Sequence, residues 1–207
     1  MEKRIFTVTM MIAALMCVSV SAKSKSTVNE RGAAKMEKSD ESKAGLKGKK
    51  ILITYFSHTG NTREIANQIH KKIGGDMFEL KTVQTYSSEY DTVVKQARKE
   101  LDSGYKPQLK SKVKDMELYD VILVGYPNWW GTMPMAYVTF FTNHNFAGKT
   151  IIPFCTHEGS GMGRSVSDIM KLCPESKVLD GLAIRGSSVK SAQSDVSGWL
   201  RKIGMSD

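Results

Sequence analysis

Three stretches of the chain run apolar with scarcely a polar break: Ile51 to Phe56 (ILITYF), Asp120 to Gly125 (DVILVG) and Thr150 to Cys155 (TIIPFC). Such runs suit strands covered on both faces, as in the middle of a parallel sheet. Met77 to Val83 alternates instead and predicts a second strand with one wetter face, while Lys177 to Ile184 predicts a fifth. Between the strands the period lengthens. Ile65, Ile69 and Ile73 recur every four residues, which predicts a helix over Glu64 to Ile73 stopped by Gly74 and Gly75. Tyr90, Val93, Val94, Ala97 and Leu101 form a second helical stripe, closed by Gly104 and Pro107. Pro134 to Asn143, Arg164 to Cys173 and Ser191 to Ile203 supply the remaining helices. Five strands alternating with helices predict an α/β fold, an open, doubly wound parallel sheet with helices on both faces. A ligand then belongs beyond the carboxyl ends of the strands, where the winding reverses.

The first 48 residues do not fit this pattern. Residues 1–22 carry Lys3 and Arg4, an almost uncharged apolar run from Ile5 to Val20, and small residues at Ser21 and Ala22. They predict a secretory signal peptide, too short and wrongly flanked for a membrane span. After its removal no stable membrane span is expected, and the protein is expected to be exported, to a bacterial periplasm. Ala14-Leu15-Met16 ahead of Cys17 lack the small residue that lipidation requires, which argues against a lipid anchor there. Residues 23–48 are rich in Ser, Lys, Glu, Ala and Gly and predict a disordered tether, because they have too little apolar surface to offset the entropy of ordering. The folded domain is expected over residues 49–207.

Composition narrows the chemistry. From Lys47 onward there are 22 Lys and Arg against 16 Asp and Glu, a formal charge of +6. The lysines are scattered and no nucleic-acid motif accompanies them, so a solvated basic surface is expected and nucleic-acid binding is not. Cys155 and Cys173 remain after the signal, and their sequence context leaves open whether they pair. His58, His70, His144 and His157 stand singly, without metal-ligand spacing.

Unusual chemistry gathers at three predicted strand ends. After the first, Ser57, Thr59, Asn61 and Thr62 offer side-chain donors around Gly60, just before a helix begins. Convergent N–H groups and the positive end of the helix dipole make such a loop an anion cradle suited to phosphate. Ser, Thr and Asn are also ordinary turn and capping residues. After the third strand, Tyr126-Pro127-Asn128-Trp129-Trp130-Gly131 places adjacent tryptophans in a loop, and at least one should be partly exposed for a planar ring to stack upon. After the fourth, Thr156-His157-Glu158-Gly159-Ser160-Gly161 brings glycine backbone close to a ligand edge, and His157 either hydrogen-bonds there or lies in solvent.

With these loops the domain resembles the flavodoxin family. Ser57-His58-Thr59-Gly60-Asn61-Thr62 is similar to the flavodoxin phosphate loop, S/T-x-T-G-x-T, at every fixed position, and Pro127 to Pro134 (PNWWGTMP) resembles a loop of a short flavodoxin-like subgroup. The resemblance covers nearly all of Lys49 to Met205 and implies the flavodoxin-like five-stranded sheet, in the order 2-1-3-4-5. It implies FMN as cofactor: phosphate on Ser57, Thr59, Gly60, Asn61 and Thr62, the ring by Trp129 or Trp130, and the Thr156 to Gly161 loop along its polar edge. Familiar flavodoxins are acidic and cytoplasmic, whereas this chain is basic and carries an export signal.

Rival nucleotide motifs fail on detail. A Walker loop needs a lysine before its last Ser or Thr, and Gly60-Asn61-Thr62 has none. Gly159-x-Gly161-x-Gly163 falls one residue short of a dinucleotide fingerprint and follows the fourth strand instead of the first. Two function classes follow from the resemblance. One is an FMN-dependent electron carrier with a redox protein partner, the other an FMN-dependent NAD(P)H or quinone oxidoreductase acting on a small quinone-like substrate. A module that keeps the fold without flavin stands behind both. No general acid or base stands out beyond His157 and Glu158.

Overall fold

The computed structural model describes residue 46 and residues 48–207. The leader over 1–22, and all of the expected tether except Leu46 and Gly48, lie outside the described residues. Leu46 is buried among residues of the domain core.

In chain order the elements are β1 (Ile51–Tyr55), α1 (Asn61–Ile73), β2 (Asp76–Glu79), α2 (Tyr90–Ser103), β3 (Val121–Pro127) and α3 (Met135–Thr142). They continue with β4 (Thr150–His157), α4 (Ser165–Leu172), β5 (Lys177–Val178), β6 (Leu182–Arg185) and α5 (Gln193–Lys202). Every pairing between these strands is parallel, and the order is β2-β1-β3-β4-β5, with β6 beside β4 as well. The winding reverses between β1 and β3, so their carboxyl ends open the crevice expected of this topology.

The continuous apolar runs divide their residues between two cores, as the twofold period of a strand requires. Leu52, Ile122, Val124, Ile151 and Cys155 pack with α3 and α4 through Ala136, Tyr137, Phe140 and Ile169. Ile53, Leu123, Ile152 and Phe154 pack on the other face with α1 and α5 through Ile65, Ile69, Val196 and Leu200. Gly125 lies opposite Phe154 in register, and a Cβ there would sit 2.0 Å from the phenyl ring, so only glycine lets β3 and β4 meet at that point. Tyr137 ties the central strands together from α3, since its hydroxyl accepts from Gly125 N at 3.0 Å and pairs with Thr54 Oγ1 at 3.2 Å.

The fifth strand departs from the sequence reading. The expected run from Lys177 to Ile184 is split into β5, which pairs with the start of β4, and β6, which pairs with its end. The cause lies in β4. Leu179 N donates to Ile151 O at 3.0 Å, and the next donor on that edge would be residue 153, a proline without an N–H. The chain bulges at Gly181, where a Cβ would come within 2.9 Å of Pro153 O. The third strand also runs further than expected, so Tyr126 belongs to the core and is fully buried, donating to Ser165 Oγ at 2.7 Å. Likewise Tyr90, at the start of the predicted apolar stripe of α2, is exposed.

Candidate functional site

Loops from the carboxyl ends of β1, β3 and β4 meet at one edge of the sheet. The first opens α1. Gly60 adopts φ 96°, a left-handed conformation that L side chains rarely adopt, and as N-cap residue it offers the helix no side chain of its own. Ser57 Oγ accepts from Arg63 N at 3.2 Å, which curls the loop over the first helical turn. Thr59 is exposed, Asn61 is half-buried, and Thr62 is buried with its hydroxyl 2.9 Å from that of Thr156. Arg63 is ion-paired with Glu79 at the end of β2, and Lys81 reaches the same carboxylate at 3.2 Å. Residues 57–62 thus hold only hydroxyls, an amide, an imidazole and N–H dipoles.

The second loop is fastened to the third. Pro127 pairs in register with Thr156, and Asn128 N donates to Thr156 O at 2.8 Å. Asn128 Nδ2 donates to Gly161 O at 2.7 Å, which fixes the orientation of the amide and leaves Oδ1 sheltered with no partner. Cys155 Sγ reaches the same carbonyl at 3.3 Å. Gly131 O accepts from Arg164 N at 2.8 Å, and Gly163, with φ 55°, passes so close that a Cβ would stand 2.2 Å from that oxygen. Thr132 Oγ1 donates to Asp168 on α4 at 2.7 Å, which adds a side-chain tie.

The tryptophans separate. Trp129 is half-buried and meets Phe56, His58 and Tyr86 edge to face, with centroids 5.5, 5.9 and 5.1 Å away. Trp130 is 47% exposed and turned onto α2, where its indole N–H donates to Val94 O at 3.1 Å and the Arg98 guanidinium lies 5.3 Å from the ring centre. A partly exposed tryptophan is therefore present, but it lies on α2. The cavity beside Trp129 holds about 10 Å³.

In the third loop His157 ends β4, half-buried, and its Nδ1 accepts from Gly159 N at 2.9 Å. Glu158, Gly159 and Ser160 are exposed. Glu158 O accepts from Arg185 Nη2 at 3.2 Å, and its carboxylate lies against Gly186 together with Asn61 Nδ2.

Several of these neighbours are not visible as site residues in the sequence. Tyr86 and Ser87 lie in a polar excursion after β2, yet Ser87 O pairs with His58 Nε2 at 2.7 Å and Tyr86 covers Trp129. Burial and the Glu100 carboxylate, which accepts from its hydroxyl at 2.6 Å, hold the Tyr86 phenol well above its usual range. A lone aromatic amid polar residues was the available signal. Arg185 ends β6 and Gly186 follows it, and the rule that ligands gather at strand carboxyl ends points to them as well.

The arrangement fits the phosphate and planar ring of FMN on two counts. Residues 57–62, with no cation among them, offer hydroxyls and N–H dipoles at the start of α1, and Asn128 Oδ1 is a sheltered acceptor with capacity to spare. Among the described residues no cluster of three or more potential metal ligands occurs, and no helix is long and apolar enough to cross a membrane. Cys155 and Cys173, the cysteines among the described residues, are buried and unpaired.

The profile of the family described as Flavodoxin matches residues 50–203. A flavodoxin from Haemophilus influenzae is 30% identical over 80 residues, which span 39% of this chain and 32% of that protein, about a third of its length. A crystal structure from Bacteroides eggerthii, provisionally named a flavoprotein, is 31% identical with a TM-score of 0.67, covering 75% of this chain and 98% of that one. A flavoprotein from Lactobacillus acidophilus crystallised in complex with FMN shares the fold at 24% identity and a TM-score of 0.58, covering 71% of this chain and 99% of that one.

Proposed function

The chain belongs to the flavodoxin family, and from that premise we propose that it binds FMN and serves as an electron-transfer protein. The observation that carries the reading is the start of α1, a helix end opened by left-handed Gly60, ringed by hydroxyls and tied to β4 through Thr62 and Thr156. FMN supplies the redox chemistry when bound. The chain's residues bind and orient it. Hydroxyls of Ser57, Thr59 and Thr62, with the first-turn N–H groups, meet the phosphate. Arg63 stays with Glu79, so dipoles and not a cation balance the phosphate charge. Asn128 and the Thr156 to Gly161 loop border the ring's polar edge, and Trp129, braced by Tyr86 and His58, flanks the ring.

The small domain with a single nucleotide-binding loop favours transfer between proteins; the alternative, an FMN-dependent NAD(P)H or quinone oxidoreductase, would use the same site, and turnover separates the two. The apolar leader over residues 1–22, with Lys3 and Arg4 ahead of its uncharged run, supports export as the setting for this activity, with a redox protein of the same compartment as partner.

Titration of the folded domain with FMN and with riboflavin tests the reading. Stoichiometric quenching by FMN with much weaker riboflavin binding is expected, and no binding by a folded sample would overturn it. Steady-state NAD(P)H oxidation with a quinone should be negligible; brisk turnover would make the protein an oxidoreductase.

A further inference from the structure

A shallow groove, open to solvent, runs along the outer face of α2, lined by Val94, Lys95, Arg98, Lys99, Asp102 and Trp130. Its indole is held there against the backbone's preference. Trp130 has φ 54°, one of two non-glycine residues among those described with positive φ, and a bulky aromatic in that conformation is a true outlier. The strain directs the ring away from the domain and onto α2, where Val94 O and the Arg98 guanidinium hold it, 47% exposed. Exposed Trp and Arg on a fixed frame are the side chains that most often dominate binding energy at protein interfaces.

The groove is also unbalanced in charge. Arg98 is paired with Asp102 at 2.7 Å, but among the described residues Lys95 and Lys99 have no salt-bridge partner. They stand one helical turn apart on one face, a like-charged pair that costs the isolated helix stability. That cost is recovered when an anionic surface meets them. The groove borders the site directly, because the opposite side of α2 presents Ala97 and Glu100 to Trp129 while this side carries Trp130.

We infer that the α2–Trp130 face is the docking surface through which electrons pass to an acidic redox partner. This rests on the FMN reading above. Charge complementarity selects the partner, in that carboxylates seat on Lys95 and Lys99 around an apolar patch that covers the Trp130 indole, and the contact brings the partner's centre to the tryptophan side of the crevice.

The test uses the FMN-loaded protein reduced with dithionite, oxidised in a stopped-flow mixer by ferricyanide, an anion, or by tris(phenanthroline)cobalt(III), a cation. Each complex takes one electron, so two are consumed per fully reduced flavin, whose protons pass to solvent. Lys95→Glu/Lys99→Glu should slow ferricyanide about tenfold at low salt and speed the cobalt complex, and both effects should fade as salt is added. Lys171→Glu/Lys177→Glu, with the same net charge at the far end of the sheet, should change neither. FMN affinity should be the same in all variants; if the Glu pair fails to fold, Lys95→Gln/Lys99→Gln carries the same sign with a smaller effect. Failure to take up FMN sinks the parent reading and this one with it. Normal uptake with rates indifferent to the α2 reversal, or with both reversals acting alike, overturns the docking face alone.

Discussion

The hydroxyls of Thr62, in the first turn of α1, and Thr156, near the end of β4, lie 2.9 Å apart and are both buried. They join the start of α1 to the strand whose loop, in the proposed FMN reading, borders the ring. Thr62→Val should leave Thr156 Oγ1 unpaired in the interior and destabilise the domain by about 1–3 kcal/mol. The double variant with Thr156→Val should cost less than the two singles summed, since no orphaned hydroxyl remains. Urea unfolding of the four proteins checks the coupling; strict additivity would dissolve it.

Gly60→Val separates phosphate binding from folding. A side chain there meets open space but must take φ 96°, so the cost is local, about 1–2 kcal/mol. Affinity for FMN should fall sharply while riboflavin affinity and the far-UV spectrum stay as they were.

Gly163→Ala should do more harm, because its Cβ would strike the Gly131 carbonyl at 2.2 Å and neither backbone can yield. The loops after β3 and β4 must part, and both FMN and riboflavin affinities should drop. Retention of both would mean that the loops are not held together at this contact.

Trp129→Leu should alter the flavin's visible spectrum and potential, because Trp129 sits among Phe56, His58 and Tyr86 at the crevice. Trp130→Gly should leave the spectrum unchanged and relieve the left-handed backbone strain. Equal spectral shifts from the two would place the ring nearer α2.

Burial pushes the Cys155 thiol up from 9.0 to about 12 and the Cys173 thiol to about 11. Above pH 9 the unfolded chain gives up these protons while the folded chain keeps them. Stability should therefore be independent of these thiols below pH 9 and decline as pH rises from 9 toward 12. Urea midpoints between neutral pH and pH 11 should show the decline, shallower in Cys155→Ala, and iodoacetamide should modify neither thiol until the protein unfolds. An alkaline decline unchanged by Cys155→Ala would assign it to other groups.

The sequence by itself determined the layered parallel sheet and the polar loop that follows its first strand. Uninterrupted apolar runs in β1, β3 and β4 can only be buried on both faces, and a parallel sheet requires the crossovers that the helical stripes supply. Ser57 to Thr62 is contiguous, so its chemistry is local and legible. The tertiary structure alone decided what is distant in the chain. Tyr86 and Ser87 reach His58 and Trp129 because the excursion after β2 folds back over the crevice, and no periodic signal marks that return. The break between β5 and β6 follows from Pro153 on the neighbouring strand, a donor missing across the ladder and invisible within residues 177–184 themselves. The fates of Trp129 and Trp130 diverge for the same reason: adjacent residues share a sequence environment, but a left-handed turn at Trp130 sends one ring to the crevice and the other onto α2.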